Sequence, residues 1–144
     1  MRITSVGGGP AGLYFAILMK KADPAHEIVV FERNRLDDTF GFGVVFSEAT
    51  QENLEQADPE TFAEMARRSA RWDDIDIHFR GTVLQSTGHG FSGLSRQVLL
   101  EILAERARGL GVDVRIATEA PPLEKLQEPP MILDEHVYGR GRER

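Results

Sequence analysis

The sequence predicts an α/β fold built on a mostly parallel sheet, with a small antiparallel hairpin beside it. Three observations carry this. A short, partly β-branched run, Arg2-Ile-Thr-Ser-Val6, leads into the glycine cluster Gly7-Gly-Gly-Pro-Ala-Gly12. An apolar-faced segment from Leu13 to Lys21 follows, and Glu27-Ile-Val-Val-Phe31 then reads as a second buried strand. Further on, Ile75-Asp-Ile-His-Phe79 and Val83 to Ser86 alternate with a period of two, and Arg80-Gly81 between them suits a turn. Strand, glycine turn, helix and strand in that order open a doubly wound sheet, because two parallel strands need a crossover and a helix supplies it.

The elements follow in order. In the first helix Leu13, Ile17 and the neighbouring Ala16 and Leu18 offer one buried face, and Asp23-Pro24 ends it because proline lacks an amide hydrogen and restricts the residue before it. Turn residues fill Asn34 to Gly43, and the apolar Val44, Val45 and Phe46 lead to Ser47, a helix cap with Thr50 as the competing choice. Two short helices are expected near Gln51–Gln56 and Pro59–Ser69, the second favoured by Asp58-Pro59-Glu60 at its start. Gly88-His-Gly-Phe-Ser-Gly93 reads as a flexible connector. Ser95 caps a helix that turns Val98, Leu99, Ile102, Leu103 and Leu110 towards the core. Gly109 and Gly111 bracket its end, and Val112 to Ile116 is a last strand. The prolines of Ala120-Pro-Pro-Leu and Glu128-Pro-Pro-Met mark a change of character, so residues 1–118 are expected to form one domain and 119–144 a poorly ordered tail.

Composition narrows the function. The chain has 144 residues, near the size of one ordinary domain, with 41% apolar and 28% charged residues. Its 17 Lys and Arg against 23 Asp and Glu give a formal charge of −6, which argues against electrostatic capture of nucleic acid or an anionic membrane. With no cysteine there is no thiolate chemistry and no cysteine-held metal. His26, His78, His89 and His136 are widely spaced and match no metal-ligand pattern. Apolar runs are short and interrupted, and the N-terminus lacks the pattern of a secretory leader; a cytoplasmic protein is the plain reading.

The chemistry lies in the glycines. Gly7, Gly9 and Gly12 satisfy G-x-G-x-x-G between a strand and a helix, and Glu32 ends the next strand 20 residues beyond Gly12. Gly7 permits the tight turn, Gly9 lets the backbone approach a pyrophosphate, and Gly12 lets helix and strand pack closely. Pro10 and Ala11 belong to the same cofactor-binding loop, and the N-terminus of the helix that follows offers unpaired amides and a positive dipole end to the phosphates. The carboxylate of Glu32 can accept hydrogen bonds from an adenosine ribose and disfavours a 2′-phosphate. FAD and NAD both present this ADP half, so the pattern alone does not separate them.

Gly7-Gly-Gly-Pro-Ala-Gly-Leu13 and Val30-Phe-Glu-Arg33 resemble the N-terminus of the FAD-dependent aromatic hydroxylases, the para-hydroxybenzoate hydroxylase class. Thr39-Phe-Gly-Phe-Gly-Val-Val-Phe-Ser47, Ile75-Asp-Ile-His-Phe-Arg-Gly81 and Gly88-His-Gly-Phe-Ser-Gly-Leu-Ser-Arg96 narrow the likeness to the N-terminal part of the salicylyl-CoA 5-hydroxylase and 2-aminobenzoyl-CoA monooxygenase branch. The resemblance spans about residues 1 to 120 and implies a Rossmann-like FAD-binding fold, here incomplete. It implies FAD as cofactor, NAD(P)H as electron donor, and an aromatic small molecule or aromatic acyl-CoA as substrate. It places Glu32 on the ribose, Arg33 beside the adenine or pyrophosphate, Gly43-Val44 as extended backbone near the flavin, and Arg96 on the pyrophosphate or ribityl side. No catalytic side chain is required, since the flavin carries the chemistry. The family's later Asp-Gly and Gly-Asp motifs are absent, and Gly41 stands where the para-hydroxybenzoate enzyme has arginine. The expected chain is therefore a cofactor-binding portion, inactive alone, with a homo-oligomer or a completing polypeptide as partner. The alternatives are a short NAD-binding oxidoreductase and a non-catalytic dinucleotide-binding or interaction fragment.

Overall fold

The structure, a computed structural model, describes residues 1–38 and 41–126. Three parallel strands form the main sheet: β1 (Arg2–Val6), β2 (Glu27–Phe31) and β8 (Asp113–Arg115), in the order β1-β2-β8. Ile3 lies opposite Ile28 and Val6 opposite Phe31, while Val30 pairs with Val114. Helix α1 (Pro10–Ala22) crosses from β1 to β2. Three residues earlier than the apolar pattern suggests, it starts at Pro10, whose missing amide hydrogen costs nothing in a first turn.

A second sheet is antiparallel, with β7 (Phe91–Ser95) between β3 (Gly43–Phe46) and β4 (Ala70–Trp72). Residues 91–93, read from sequence as part of a flexible connector, belong to its central strand. Local composition favours a loop there, but pairing on both edges satisfies the backbone, and Ser92 and Leu94 turn inward. Strand β5 (Ile75–Phe79) and β6 (Thr82–Ser86) form the expected hairpin, closed by Arg80 and Gly81 at φ 48° and 79°. Two positive φ values in a two-residue loop match the twist of the strands.

Helix α4 (Arg96–Gly109) packs against strands of both sheets, α3 (Pro59–Arg68) lies against α4 and β7, and α2 (Glu48–Ala57) lies against α3. Ser47 and Ser95 cap α2 and α4 by accepting from the amides of Thr50 and Val98. Leu13, Ala16 and Ile17 of α1 meet Leu99, Ile102, Leu103, Ala104 and Ala107 of α4 above Ile28 and Val30, which fixes the two helices side by side over the sheet. Gly111, at φ 89°, turns the chain out of α4, with the Val112 amide returning to the Ala107 carbonyl at 3.0 Å. A single helical turn, α5 (Leu123–Leu126), lies within the segment expected to hold little packed structure; residues 127–144 of that tail, like Thr39 and Phe40, lie outside the described residues. Among the described residues no helix is long and apolar enough to cross a membrane, and no cluster of His, Asp and Glu could hold a metal ion.

Candidate cofactor site

The loop between β1 and α1 has little freedom. Gly7 sits at φ 108°, a region costly for any side chain, while its amide donates to the Phe31 carbonyl at 2.8 Å. A Cβ on Gly12 would lie 2.1 Å from the Gly7 carbonyl oxygen and 3.0 Å from Ser5 Oγ, so the helix approaches the strand only because Gly12 is bare. Gly9 differs: a Cβ there would meet nothing within 4 Å. The space beside it is open, so nothing in the chain itself requires a glycine there. Gly9 caps α1 without a side-chain acceptor, Pro10 and Ala11 follow, and the first turn holds no acid. The positive end of α1 is thus left uncompensated by its own residues, as an anion site requires.

Glu32 faces this loop from the end of β2. Its Oε2 accepts from the Gly8 amide at 2.9 Å and its Oε1 from the Asn34 amide at 2.8 Å. Two amides therefore hold the carboxylate in one orientation, and each oxygen keeps a second acceptor position for a ligand hydroxyl. Gly8, which the motif leaves free, is constrained here as well: a Cβ on it would sit 2.7 Å from Glu32 Cβ.

Two cavities meet at Glu32 and Asn34. The narrow one is lined by Gly8, Gly9, Arg35, Leu36, Asp38, Arg96 and Leu100. Arg96 reaches it because Ser95 caps α4 and so sets the direction of its first turn. Arg35 is already engaged: its guanidinium donates to both Asp37 oxygens at 2.9 and 3.1 Å, which holds the Asp37 carboxyl below its ordinary range. The wider cleft, about 590 Å³, runs from Val6, Gly7, Phe31 and Arg33 on one side to Glu119, Pro121, Leu123 and Leu126 on the other.

The fold thus brings Gly9 and Arg96 to one cavity and Gly7 and Arg33 to the other, with Glu32 in the lining of both and Pro10, Ala11 and Gly12 opening the helix beside them. Gly43 and Val44 line neither cavity. Gly43 lies opposite Ser95, one residue from Arg96, and its bare Cα lets β3 approach Leu94; the Val44 side chain packs against the core. Sequence reading missed Gly8, Asn34 and the wall from Glu119 to Leu126. Asn34 was within reach as a turn residue two beyond Glu32, but its contribution is a backbone amide, to which sequence is blind.

No family model matches the chain. Salicyloyl-CoA 5-hydroxylase of a Streptomyces species is 45% identical over 119 residues, covering 83% of this chain and 23% of that protein. The chain is homologous to the N-terminal part of the aromatic-ring hydroxylases. A second relative of this kind, a 3-hydroxy-4-methyl-anthranilyl-(aryl-carrier protein) 5-monooxygenase of Streptosporangium sibiricum, is 32% identical, covering 78% of this chain and 32% of that protein. The hydroxylase likeness extends to solved structures: 2-methyl-3-hydroxypyridine-5-carboxylic acid oxygenase superposes with a TM-score of 0.70 at 25% identity, over 83% of this chain and 32% of that one. The same oxygenase has been solved in a tetrameric form. The chain therefore has the fold of FAD-binding hydroxylases and spans less than a third of the length of these relatives.

Proposed function

We propose that this chain is the FAD-holding portion of a flavin-dependent aromatic-ring monooxygenase that takes its electrons from NAD(P)H. One observation carries the reading: Glu32, the bare Gly9 at the start of α1, and Arg96 converge on adjoining cavities. The donor set suits the ADP half of FAD. Amides of the first turn of α1 receive the pyrophosphate, Glu32 accepts from the ribose hydroxyls, and Arg96 adds paired, charge-assisted bonds to phosphate oxygen. Arg33 stands at the wider cleft, on the adenine side of Glu32. Extended backbone at Gly43 and Val44 is assigned to the flavin side, beside the first turn of α4. FAD, when bound, supplies the redox chemistry that joins NAD(P)H and O2 to ring hydroxylation.

An aromatic acyl thioester is the favoured substrate class, because two relatives are named for aryl groups carried on CoA and on an aryl-carrier protein. Hydroxylation also needs walls around the flavin ring and the substrate that exclude water. We assign those walls to polypeptide beyond this chain, so that residues 1–118 hold the cofactor without hydroxylating by themselves.

The test is a titration of purified chain with FAD, followed by flavin fluorescence, with NADH as competitor. Saturable binding that NADH does not displace is expected. Glu32→Ala and Arg96→Ala should each weaken it about 10-fold, roughly 1.4 kcal/mol. Failure to saturate at high micromolar FAD overturns the reading, and displacement by NADH selects a nicotinamide dinucleotide site instead.

A further inference from the structure

We propose that the open edge of β5 is a self-association surface, taken by β5 of a second copy of this chain in antiparallel register about Ile77. The inference is independent of the cofactor reading, since no residue of β5 or β6 lines either cavity at Glu32.

The hairpin leaves that edge free. Among the described residues β5 pairs with β6 alone, and every residue of both strands is exposed. Arg80 and Gly81 close the hairpin as a two-residue loop, which makes Phe79 and Thr82 its first hydrogen-bonded pair. Pairs in an antiparallel ladder alternate, so Ile75, Ile77 and Phe79 direct their backbone groups to β6 while Asp76 and His78 present theirs outward. Such a row of unpaired groups is a template for another strand.

Charge selects the strand. Along Asp74-Ile-Asp-Ile-His-Phe-Arg80 the acids stand in the first half and the bases in the second. A second copy laid antiparallel, with Ile77 opposite its own counterpart, sets Asp76 against the second copy's His78, twice by symmetry, at the pairs whose backbones exchange both bonds. Asp74 and Arg80 extend the same match at either end. Parallel pairing in register, or antiparallel pairing centred on Asp76, would set carboxylate against carboxylate, so the charges fix both direction and register. Among the described residues Asp74, Asp76 and His78 enter no salt bridge within the chain.

Packing on the other face agrees. Ile75, Ile77 and Phe79 share that face with Leu84, which lies opposite Ile77, and Ile77, Phe79 and Leu84 are each more than half exposed. In the joined sheet Phe79 meets the second copy's Ile75, an aromatic and β-branched pair. The two Ile77 side chains meet at the axis, in the position where opposed side chains lie closest. Two five-residue strands make a small interface, so the association is weak and reversible, and its two-fold symmetry closes it at two chains.

Sedimentation of the full chain from micromolar to millimolar concentration, at moderate ionic strength, tests this. Wild type should pass from the mass of one chain to the mass of two. Asp76→Lys removes the acid, and His78→Glu the base, that meet across the axis. Each should weaken association about 10-fold, since the pair occurs twice. Mixed one to one, the two variants should associate with each other as wild type does, because the new cation of one faces the new anion of the other; that recovery also shows both to be folded. A wild-type chain that stays single at millimolar concentration overturns the proposal and leaves the edge to polypeptide beyond this chain. Association that both variants leave unchanged overturns it, as does a loss that mixing fails to restore, or growth beyond two chains.

Discussion

Replacing Asp58 by Asn should cost this protein about 3 kcal/mol at neutral pH. Asp58 joins the end of α2 to the start of α3, a place where an aspartate ordinarily caps the following helix. Here it makes no side-chain cap bond. Its carboxylate turns inward, fully buried, and accepts from Arg106 Nε and Nη2 at 3.0 Å each, from Lys21 Nζ at 2.8 Å and from Thr61 Oγ1 at 2.6 Å. Burial alone would raise its pKa; the bonds from Arg106, Lys21 and Thr61 outweigh that and hold it well below the usual carboxylate range. Removing one partner of a buried ion pair costs about 3–5 kcal/mol, and the lower end applies because Lys21 stays 30% exposed and Arg106 keeps Glu60 as a second partner. Against the roughly 5–15 kcal/mol of an ordinary domain this is a large share. The network also ties α1 to α4, the two helices whose first turns flank the narrow cavity.

Urea unfolding followed by circular dichroism measures the effect, as a lowered midpoint at unchanged slope. The pH dependence supplies a second check. A carboxyl whose folded pKa lies below its unfolded value of about 3.9 stabilises the fold above that value, and the contribution is lost as pH falls towards the folded pKa. The gap between wild type and Asp58→Asn should therefore be complete at pH 7 and shrink below about pH 4. A gap under about 1 kcal/mol at pH 7, the range of an exposed ion pair, would refute this account, and so would a gap that acid leaves unchanged.

Three further substitutions have defined outcomes. Gly12→Ala places a methyl 2.1 Å from the Gly7 carbonyl, so helix and strand must separate; a loss of about 1–3 kcal/mol in urea unfolding, with FAD binding abolished, is expected. Arg80→Asn relieves a non-glycine left-handed residue at the hairpin turn without loosening the unfolded chain as glycine would, and should raise stability by about 0.5–1 kcal/mol; a lowered melting temperature would show that the stacking of Arg80 on Phe79 matters more. Ser95→Ala removes the acceptor of the Val98 amide, should cost about 1 kcal/mol in thermal unfolding, and should weaken FAD binding through the misdirected first turn that carries Arg96.

The sequence by itself determined whatever follows from local periodicity and backbone chemistry. The β1–α1–β2 unit, the glycine turn, the acid at the end of β2, the serine caps and the β5–β6 hairpin are each set by residues that are neighbours in sequence or stand at a fixed spacing. Gly7, Gly12 and Glu32 were legible for that reason: a positive φ, a missing Cβ and a carboxylate 20 residues on all have fixed spacings. Tertiary structure decided the rest. Phe91–Ser95 is a strand because β3 and β4 pair with its two edges, a long-range fact that glycine-rich local sequence hides. Asp58 could be read as a helix start, but not as the anion shared by Arg106 and Lys21, since those cations come from two other helices. The wall from Glu119 to Leu126 stands beside Glu32 through bonds between backbone groups that every residue carries. A side-chain pattern records what each residue prefers; which distant backbone meets it is settled only when the core of α1, α4 and β2 closes.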